Sequence, residues 1–249
     1  MKKFTTFCVF FALFSLQYII GQTIPSGFDA QENLNVIGDI GTSKANLVAR
    51  VYDTRYQGVK GTPYLYEDWR LGDIIFTDSL LAKNQLFKLD LYNNELILFK
   101  DKKDSFLLDK SKVLMFVLQS NEPNQYFFFK KMNVNEETYK SNFKYLQVLF
   151  DKKIKLYALR GKELLKADYI GAYSANRPYD ELLDEDFFYI QKPNESILTK
   201  LRLNKKNLMK FVDNYKNEME EYTKKHNLDL KIEAHAIQFL EYFNLLISK

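Results

Sequence analysis

The sequence predicts an α+β protein dominated by β-strands, in which an antiparallel meander forms a barrel or a sandwich and a C-terminal pair of helices follows. Three observations lead to this fold class. The chain of 249 residues contains 21 phenylalanines and 17 tyrosines, and aromatic side chains suit pleated, half-buried surfaces. Short apolar runs separated by polar turns recur between residues 45 and 203, as in antiparallel sheets. Beyond residue 203 the apolar residues recur at steps of three and four, which is the period of a helix.

The N-terminal segment has the plan of a secretory signal peptide. Lys2 and Lys3 precede an almost uncharged apolar run, residues 4–20, which Gly21 closes. We therefore expect residues 1–21 to be a signal peptide cleaved near Gly21, with the mature protein in the periplasm or associated with the outer membrane. A single membrane anchor is the alternative, because the run approaches the ~18 apolar residues of a span. Polar residues inside the run favour cleavage, after which the protein would not be an integral membrane protein.

Cysteine use and charge limit the chemistry and the partners. Cys8 is the only cysteine, and it lies inside the apolar run rather than at its end, where an acylated residue would have to lie. Cleavage would remove it, so the mature chain would have no disulfide and no thiolate metal site and would depend on its own core. Losing Lys2 and Lys3 would lower the formal net charge from +4 to +2. This near balance argues against nucleic acid as a partner, and no motif indicates a cofactor.

A β domain is expected over residues 45–203, after a polar lead-in loop at residues 22–44. The first strand should begin at Ala45, from which alternate residues are apolar. The other expected strands lie at 72–77, at 86–100 as a hairpin, at 112–119, at 125–132, at 145–159 as a second hairpin turning near Asp151, and on both sides of Pro193.

The first hairpin carries the clearest local signal. Asn93–Asn94 tolerate the positive φ angles of a two-residue type I′ turn, which would place Tyr92 opposite Glu95. In that register four leucines share one face: Leu89, Leu91, Leu96 and Leu98. The apolar residues Ile97 and Phe99 interrupt the opposite, otherwise polar face, so we expect another part of the chain to cover that face.

Residues 204–249 predict a pair of helices packed on the β domain. Asn204 is a suitable N-cap for a first helix whose apolar line runs from Leu208 to Tyr222. The second helix should begin near Ile232. Both apolar lines are interpreted as core contacts, and a groove for a partner chain is the alternative.

The stretch G-T-P-Y-L-Y-E-D-W, residues 61–69, is the main candidate for a binding site. It combines a turn signal with three aromatic residues and two adjacent carboxylates. The candidate ligand- or partner-binding residues are Tyr64, Tyr66, Glu67, Asp68 and Trp69. One interpretation is a turn whose aromatic rings anchor the first strand to the sheet. The other is an aromatic platform for a sugar ring or a partner chain.

Residues able to carry catalysis are few. The sequence has no G-x-S-x-G motif, and His226 and His235 do not have the spacing of a metal-binding pair. Carboxylates remain, either Glu67 with Asp68 or an acidic cluster further along the chain. The cluster consists of Asp180, Glu181, Asp184, Glu185 and Asp186. Adjacent carboxylates on a strand point to opposite faces, and acidic clusters are common at turns and helix starts, so we predict no catalytic residue and no metal site.

The run V-Y-D-T-R-Y-Q-G-V-K-G-T-P-Y-L-Y-E-D-W, Val51 to Trp69, resembles a recurring signature of small exported proteins of Bacteroidetes that have no assigned activity. The likeness continues through D-L-Y-N-N-E-L and Y-L-Q-V-L-F-D-K-K-I-K-L into K-L-R-L-N-K-K-N-L and the helical tail. The resemblance implies export and carries over no catalytic residue. Lys152 departs from it, since glycine is expected after Asp151, so a two-residue turn is not implied there.

Two short patterns indicate sites of modification. In exported Bacteroidetes proteins a triplet of Asp, Ser or Thr and an aliphatic residue resembles the acceptor of an O-linked glycan, which makes Ser79 a candidate for O-glycosylation. An ordinary polar turn is the alternative. Asn194 begins an N-x-S sequon, which matters only in a cell with the corresponding transferase.

Together these observations favour a noncatalytic, exported protein-interaction module with a protein partner in the cell envelope, as an accessory subunit of an outer-membrane complex. A glycan-binding module is the first alternative. A carboxylate-dependent glycoside hydrolase is the second, because that chemistry needs only two suitably spaced carboxylates.

Overall fold

The computed structural model describes residues 47–50, 55–101, 104–134, 142–168 and 177–248. The expected signal peptide and the expected lead-in loop lie outside these residues. The strands are β1 (Leu47–Arg50), β2 (Arg70–Phe76), β3 (Leu81–Asp90), β4 (Glu95–Asp101), β5 (Asp104–Leu108), β6 (Val113–Gln119), β7 (Tyr126–Asn133), β8 (Phe143–Asp151), β9 (Lys155–Leu159), β10 (Lys162–Leu165), β11 (Glu181–Asp184), β12 (Phe187–Gln191) and β13 (Thr199–Leu201). The helices are α1 (Lys205–Leu208), α2 (Lys216–Lys225) and α3 (Glu233–Leu246), with short 3₁₀ turns at Met209–Phe211 and Asp213–Tyr215.

Eleven of these strands form one sheet, in the order β1-β5-β4-β3-β2-β6-β7-β8-β9-β12-β13, while β10 and β11 form a separate pair. Neighbouring strands of the sheet pair antiparallel. The sheet is open and sandwich-like, and within the described residues β1 and β13 are its two edges. The predicted fold class is therefore confirmed, with the sandwich rather than the closed barrel.

The sheet bends over its own face and encloses one hydrophobic core. Phe87 of β3, Phe116 of β6 and Tyr145 of β8 are fully buried in it. The ring of Phe116 lies 5.7 Å from that of Phe87 and 5.2 Å from that of Tyr145, centroid to centroid. Each such side chain contributes about 1.5–3 kcal/mol by leaving water. All strands from β2 to β8 supply residues to this core, so the core holds the two halves of the bent sheet together.

A second core joins the other end of the sheet to the C-terminal helices. Met219 of α2 and Phe239 and Leu240 of α3 pack with Leu156 of β9 and Ile190 of β12. The two apolar lines of the helices are thus core contacts on the sheet. No helix in the described part of the chain combines the length and the apolar composition that a membrane crossing requires.

The first hairpin forms where it was expected, but with a different register. Asp90 pairs with Glu95 and Leu89 with Leu96, so residues 91–94 form a four-residue loop, and the predicted two-residue turn is wrong. The shift is two residues, which preserves the face of every side chain, and the four leucines of the predicted face all enter the first core. The longer loop follows from Asp90, whose carboxylate accepts a hydrogen bond from the backbone N–H of Asn93 at 3.0 Å.

Other differences concern elements without a strong sequence period. The second hairpin has a three-residue loop, because Asp151 pairs with Lys155. Strands β5, β10 and β11 have no counterpart in the sequence prediction. Asn204 caps α1 by accepting a hydrogen bond from the N–H of Asn207 at 2.8 Å, as predicted, but the helix ends after four residues. The chain leaves helical geometry at Val212, where φ is −122° and ψ is 27°, next to Asp213 and Asn214, residues with low helix propensity.

Candidate functional site

The stretch 61–69 comes directly before β2 and lies beside the end of the first hairpin, where its backbone continues the pairing of β2 with β3. The N–H of Leu65 donates to the carbonyl of Leu89 at 3.0 Å, and the N–H of Leu91 donates to the carbonyl of Pro63 at 2.7 Å. Tyr64 makes an antiparallel bridge to Asp90. The backbone of this stretch is therefore used to extend the pairing of β3.

The three aromatic rings of the stretch contact other side chains. Tyr64 is buried, and the ammonium of Lys88 lies 4.7 Å from its ring centroid and 4.9 Å from that of Trp69. Trp69 also contacts Phe99, with 5.1 Å between the ring centroids, so this stretch covers the hairpin face that was expected to be covered.

Tyr66 packs in the same way. Its ring is stacked parallel to that of Phe127, and the guanidinium carbon of Arg70 lies 4.6 Å from its centroid. Glu67 and Asp68 are exposed in the bend before β2. These contacts favour the anchoring interpretation of the stretch, because its aromatic side chains pack against other aromatic rings and basic side chains of the same protein. A binding role for these five residues stays a prediction.

A buried carboxylate holds this region together. Asp90 is fully buried, and it accepts hydrogen bonds from the hydroxyl of Tyr56 at 2.5 Å and from the guanidinium of Arg55 at 3.2 Å. Burial, followed by the hydrogen bond to Asp90, raises the pKa of the Tyr56 hydroxyl, which stays protonated and donating. Arg55 also forms an ion pair with Glu95. Nothing in the spacing of the sequence marks Asp90 as buried, because its partners are 34 and 35 residues away.

The acidic cluster near residue 180 is largely neutralised by basic side chains. Four of its five carboxylates form ion pairs: Asp180 with Lys166, Glu181 with Lys60, Asp184 with Lys162 and Asp186 with Arg160. Glu181 and Asp184 lie in β11, which pairs with β10, whereas Asp180, Glu185 and Asp186 lie in the connections on either side of β11. Three of the basic partners lie in or next to β10, the strand that pairs with β11, and only Lys60 comes from a distant part of the sequence.

Arg160 links this region to the helices. Its guanidinium donates to Gln147 at 2.7 Å, to Asp186 at 2.6 Å and to both carboxylate oxygens of Glu233 at 3.0 and 2.8 Å. Burial alone would lower the pKa of Arg160, but the two carboxylates outweigh burial and raise it. The carboxylates of Asp186 and Glu233 are therefore both paired with the guanidinium of Arg160, which stays charged.

A groove of about 790 Å³ lies beside Arg160, at the end of the sheet that contains β12 and β13. Every residue from Thr199 to Leu203 lines it. Phe187 and Phe188 of β12 line it as well, so one wall of the groove is formed by β12, β13 and the residues that follow β13. The start of the helical region forms the other wall, with Asn207 and Phe211.

The lining of the groove is basic and aromatic. Its cations are Lys200, Arg202, Lys210 and Lys231. Phe187, Phe188 and Phe211 supply its rings. Two carboxylates also line it, Glu185 and Asp186, and the second is already paired with Arg160. A second hollow of about 240 Å³ shares Lys210 and Phe211 with the groove.

Comparison with known proteins gives no relative for this arrangement. The chain matches no protein-family model, no curated protein and no solved structure. The resemblance of residues 51–69 to exported Bacteroidetes proteins therefore stays a prediction.

The remaining candidates lie apart from the groove or contribute little to it. His226 is exposed and packs on Tyr222 at 4.3 Å between ring centroids, and Nδ1 of His235 accepts the backbone N–H of Asp229 at 3.1 Å. Ser79 is exposed in the β2–β3 turn, where its φ is 68°. In the described ranges no group of three or more His, Cys, Asp or Glu side chains is placed to hold a metal ion.

The groove could not be found from the sequence. Its cations come from β13, from the α1 region and from the α2–α3 loop, and each is an ordinary lysine or arginine in a chain with 36 of them. One signal was present. The segment T-K-L-R-L-N-K-K carries four cations and no carboxylate, in a chain whose charges otherwise alternate.

Proposed function

We propose that this chain is a noncatalytic protein-interaction module of the cell envelope, which binds a protein partner in the groove beside β13. The observation that carries the proposal is the position of the groove. It lies at the end of an eleven-stranded sheet, between the last two strands and the start of the helical region, and β13 pairs only with β12 among the described residues. An accessory role in an outer-membrane complex fits a protein whose N-terminus has the plan of a signal peptide.

Local charge supports a specific partner. Basic and acidic residues are nearly balanced over the whole chain, 36 against 32, yet four cations line the groove against two carboxylates. Within the described part of the chain, Arg202, Lys210 and Lys231 have no ion pair, whereas Asp186 already has one. Complementary charge steers association and selects between partners more than it sets affinity. The expected partner therefore presents a negative surface.

The aromatic rings in the groove provide the apolar contact. Phe211 and Phe187 are half-buried at the groove, and the ammonium of Lys200 lies 3.6 Å from the ring centroid of Phe187. Phenylalanine is among the aromatic residues enriched in the buried centres of protein interfaces. Tyr66 and Trp69 pack on Phe127 and Phe99. Phe211 likewise packs against the second core, so the surplus of cations is what distinguishes the groove.

Photo-crosslinking in the native cell tests the proposal. Phe211 is replaced by p-benzoylphenylalanine, which keeps an aromatic ring in the groove. The matched control places the same residue at Phe143, which is 46% exposed at the start of β8. We expect ultraviolet light to link position 211, but not position 143, to one envelope protein that mass spectrometry identifies and that binds again when purified.

Other outcomes would contradict the proposal. An adduct with polysaccharide at position 211 would establish the glycan-binding alternative. Equal labelling at positions 211 and 143, or no adduct at either, would show that the groove has no protein partner.

A further inference from the structure

Three cations of the groove have no acidic partner within the described part of the chain. The side chains of Arg202, Lys210 and Lys231 line the groove, and none of them forms an ion pair with a described residue. Of the two carboxylates in the lining, Asp186 is already paired, and only Glu185 has no ion pair in the same ranges. The groove therefore keeps a surplus of positive charge that an acidic ligand would neutralise.

The second hollow lies beside the groove, since Lys210 and Phe211 line both spaces. Three aromatic rings line the hollow, and those of Tyr215 and Phe243 meet edge to face with 6.0 Å between their centroids. The third ring is that of Phe211, and the ammonium of Lys192 lies 5.8 Å from its centroid. Rings and cations in this arrangement favour an aromatic guest, which packs on other rings at ~4.5–7 Å between centroids and attracts an ammonium group to its face.

The two spaces differ in size. Pockets that hold a drug-sized ligand measure roughly 300–1,000 Å³. The groove, at about 790 Å³, lies within this range, and the hollow, at about 240 Å³, lies below it. The hollow therefore suits one large side chain, whereas the groove has room for several residues of a partner chain.

We propose that the partner binds through a short acidic segment with one aromatic side chain, whose ring enters the second hollow while the neighbouring carboxylates lie in the groove. This inference rests on the proposed function and specifies how the partner is recognised. An aromatic side chain in a concave site is typical of the energetic centres of protein interfaces. The carboxylates meet Arg202, Lys210 and Lys231, and the guanidinium of an arginine binds a carboxylate through two parallel hydrogen bonds.

The groove and the hollow select the partner together. A basic segment would place like charges against Lys210, which lines both spaces, and an acidic segment without a ring would leave the hollow unfilled. Specificity of this kind comes from the penalty on wrong partners as well as from attraction to the right one. An acidic glycan carries no aromatic ring, so a requirement for the ring separates a peptide from a glycan.

Peptide selection gives a direct test with the purified chain. Random twelve-residue peptides displayed on phage are selected for binding to the chain, after those that bind the support have been removed. We expect the enriched sequences to combine several acidic residues with one aromatic residue. A synthetic peptide of the enriched sequence should bind at least tenfold more tightly than its matched control, in which alanine replaces the aromatic residue.

Filling the hollow supplies the first comparison between variants. Asn214 is exposed and lines the hollow, so Asn214→Trp would occupy the space that the incoming ring needs. The matched control, Asn217→Trp, places the same side chain at an exposed position of α2 outside the hollow. Only Asn214→Trp should weaken binding of the aromatic peptide at least tenfold. It should leave binding of the alanine peptide unchanged, because the two changes remove the same contact.

Charge reversal supplies the second comparison. Arg202→Glu with Lys231→Glu should weaken binding of both peptides at least tenfold. The control variant, Lys112→Glu with Lys152→Glu, changes the net charge equally at two exposed turns outside the groove, and it should bind as the unmodified chain does. Circular dichroism of all the variants should match that of the unmodified chain.

The outcomes separate this inference from the proposed function. Three results would overturn the two-part recognition: no enrichment, enriched peptides that lack acidic or aromatic residues, or equal binding by the two tryptophan variants. A protein crosslinked at position 211 would still support the function in each case. Polygalacturonate that binds more tightly than the peptide, and equally to both tryptophan variants, would overturn both proposals and favour an acidic glycan.

Discussion

The side chain of Asn94 is hydrogen-bonded twice to the backbone of Tyr145. Its Oδ1 accepts the N–H of Tyr145 at 2.8 Å, and its Nδ2 donates to the carbonyl of Tyr145 at 3.2 Å. The amide thereby acts like one residue of an additional strand and connects the β3–β4 loop to β8, 51 residues away. Because Asn94 is 3% exposed, water cannot replace these bonds.

Replacing Asn94 by glycine should therefore weaken the fold. Glycine accepts the φ of 55° found at this position, so the variant removes the two hydrogen bonds without adding backbone strain. It leaves two buried backbone groups of Tyr145 without partners, and we expect a loss of about 2–3 kcal/mol in the free energy of unfolding, measured by urea denaturation.

A matched control separates these bonds from the glycine itself. Asn124 has a φ of 59° but lies exposed in the β6–β7 turn, so Asn124→Gly should change stability by less than about 0.5 kcal/mol. Equal losses for both variants would show that the bonds to Tyr145 contribute nothing.

The buried carboxylate of Asp90 provides a second prediction. Asp90→Asn keeps the shape but removes the charge that Arg55 and Tyr56 face, and we expect a loss of about 2–4 kcal/mol. The variant should first open the structure locally, because Asp90 connects the chain around residues 55–65 to β3. Hydrogen exchange at the amides of Leu65 and Leu91 should accelerate before exchange in β6 does. Uniform acceleration across the sheet would contradict a local role.

Gly72 should not tolerate a side chain. A Cβ atom there would lie 2.0 Å from the carbonyl oxygen of Val117 and 2.8 Å from the ring of Phe87. The backbone of β6 cannot move without breaking its pairing with β2, so Gly72→Ala should cost more than about 3 kcal/mol or prevent folding.

The control for Gly72 is a glycine with space around it. Gly58 has a φ of 84°, and a Cβ atom added there would meet no other atom within 4 Å, so Gly58→Ala should cost only the backbone strain, about 1–2 kcal/mol. Circular dichroism and urea denaturation of the two variants measure the difference. A Gly72→Ala protein as stable as Gly58→Ala would show that β2 and β6 are further apart than described.

The pH dependence of stability should depend on Lys110. Burial, with help from Lys144, lowers the pKa of its ammonium, and Glu95 and Asp90 only partly oppose this. A lysine whose pKa is lower in the folded state binds fewer protons there than in the unfolded chain. Stability should therefore rise as the pH passes from the folded pKa towards the ordinary value of about 10.4.

Lys110→Met removes this contribution. The variant should be more stable than the unmodified chain at pH 7, by about 0.5–1 kcal/mol, and the difference should shrink towards pH 10. Lys112→Met, at an exposed position in the same turn, should have no such effect. A difference that is constant with pH would exclude titration of Lys110 as the cause.

By itself, the sequence determined the features that depend on local periods. Short apolar runs between polar turns at 72–77, 112–119 and 125–132 identified β2, β6 and β7, and the helical period after Asn204 identified α2 and α3, although not the break between α1 and α2. The face of the first hairpin was also determined, since a shift of two residues leaves every leucine on the side that the core requires.

Only the tertiary structure decided where distant segments meet. The register of the first hairpin depends on Asp90, whose burial is stable because Arg55 and Tyr56 reach it from outside the hairpin. Part of the acidic cluster is a strand because it pairs with β10, which lies beside the basic residues that neutralise it. The groove forms where β12 and β13 meet the start of the helical region and the α2–α3 loop, segments that only the folded chain brings together. Charge and hydrogen-bonding capacity are properties of single residues, but their effect is set by what surrounds them, and no period along the chain encodes those surroundings.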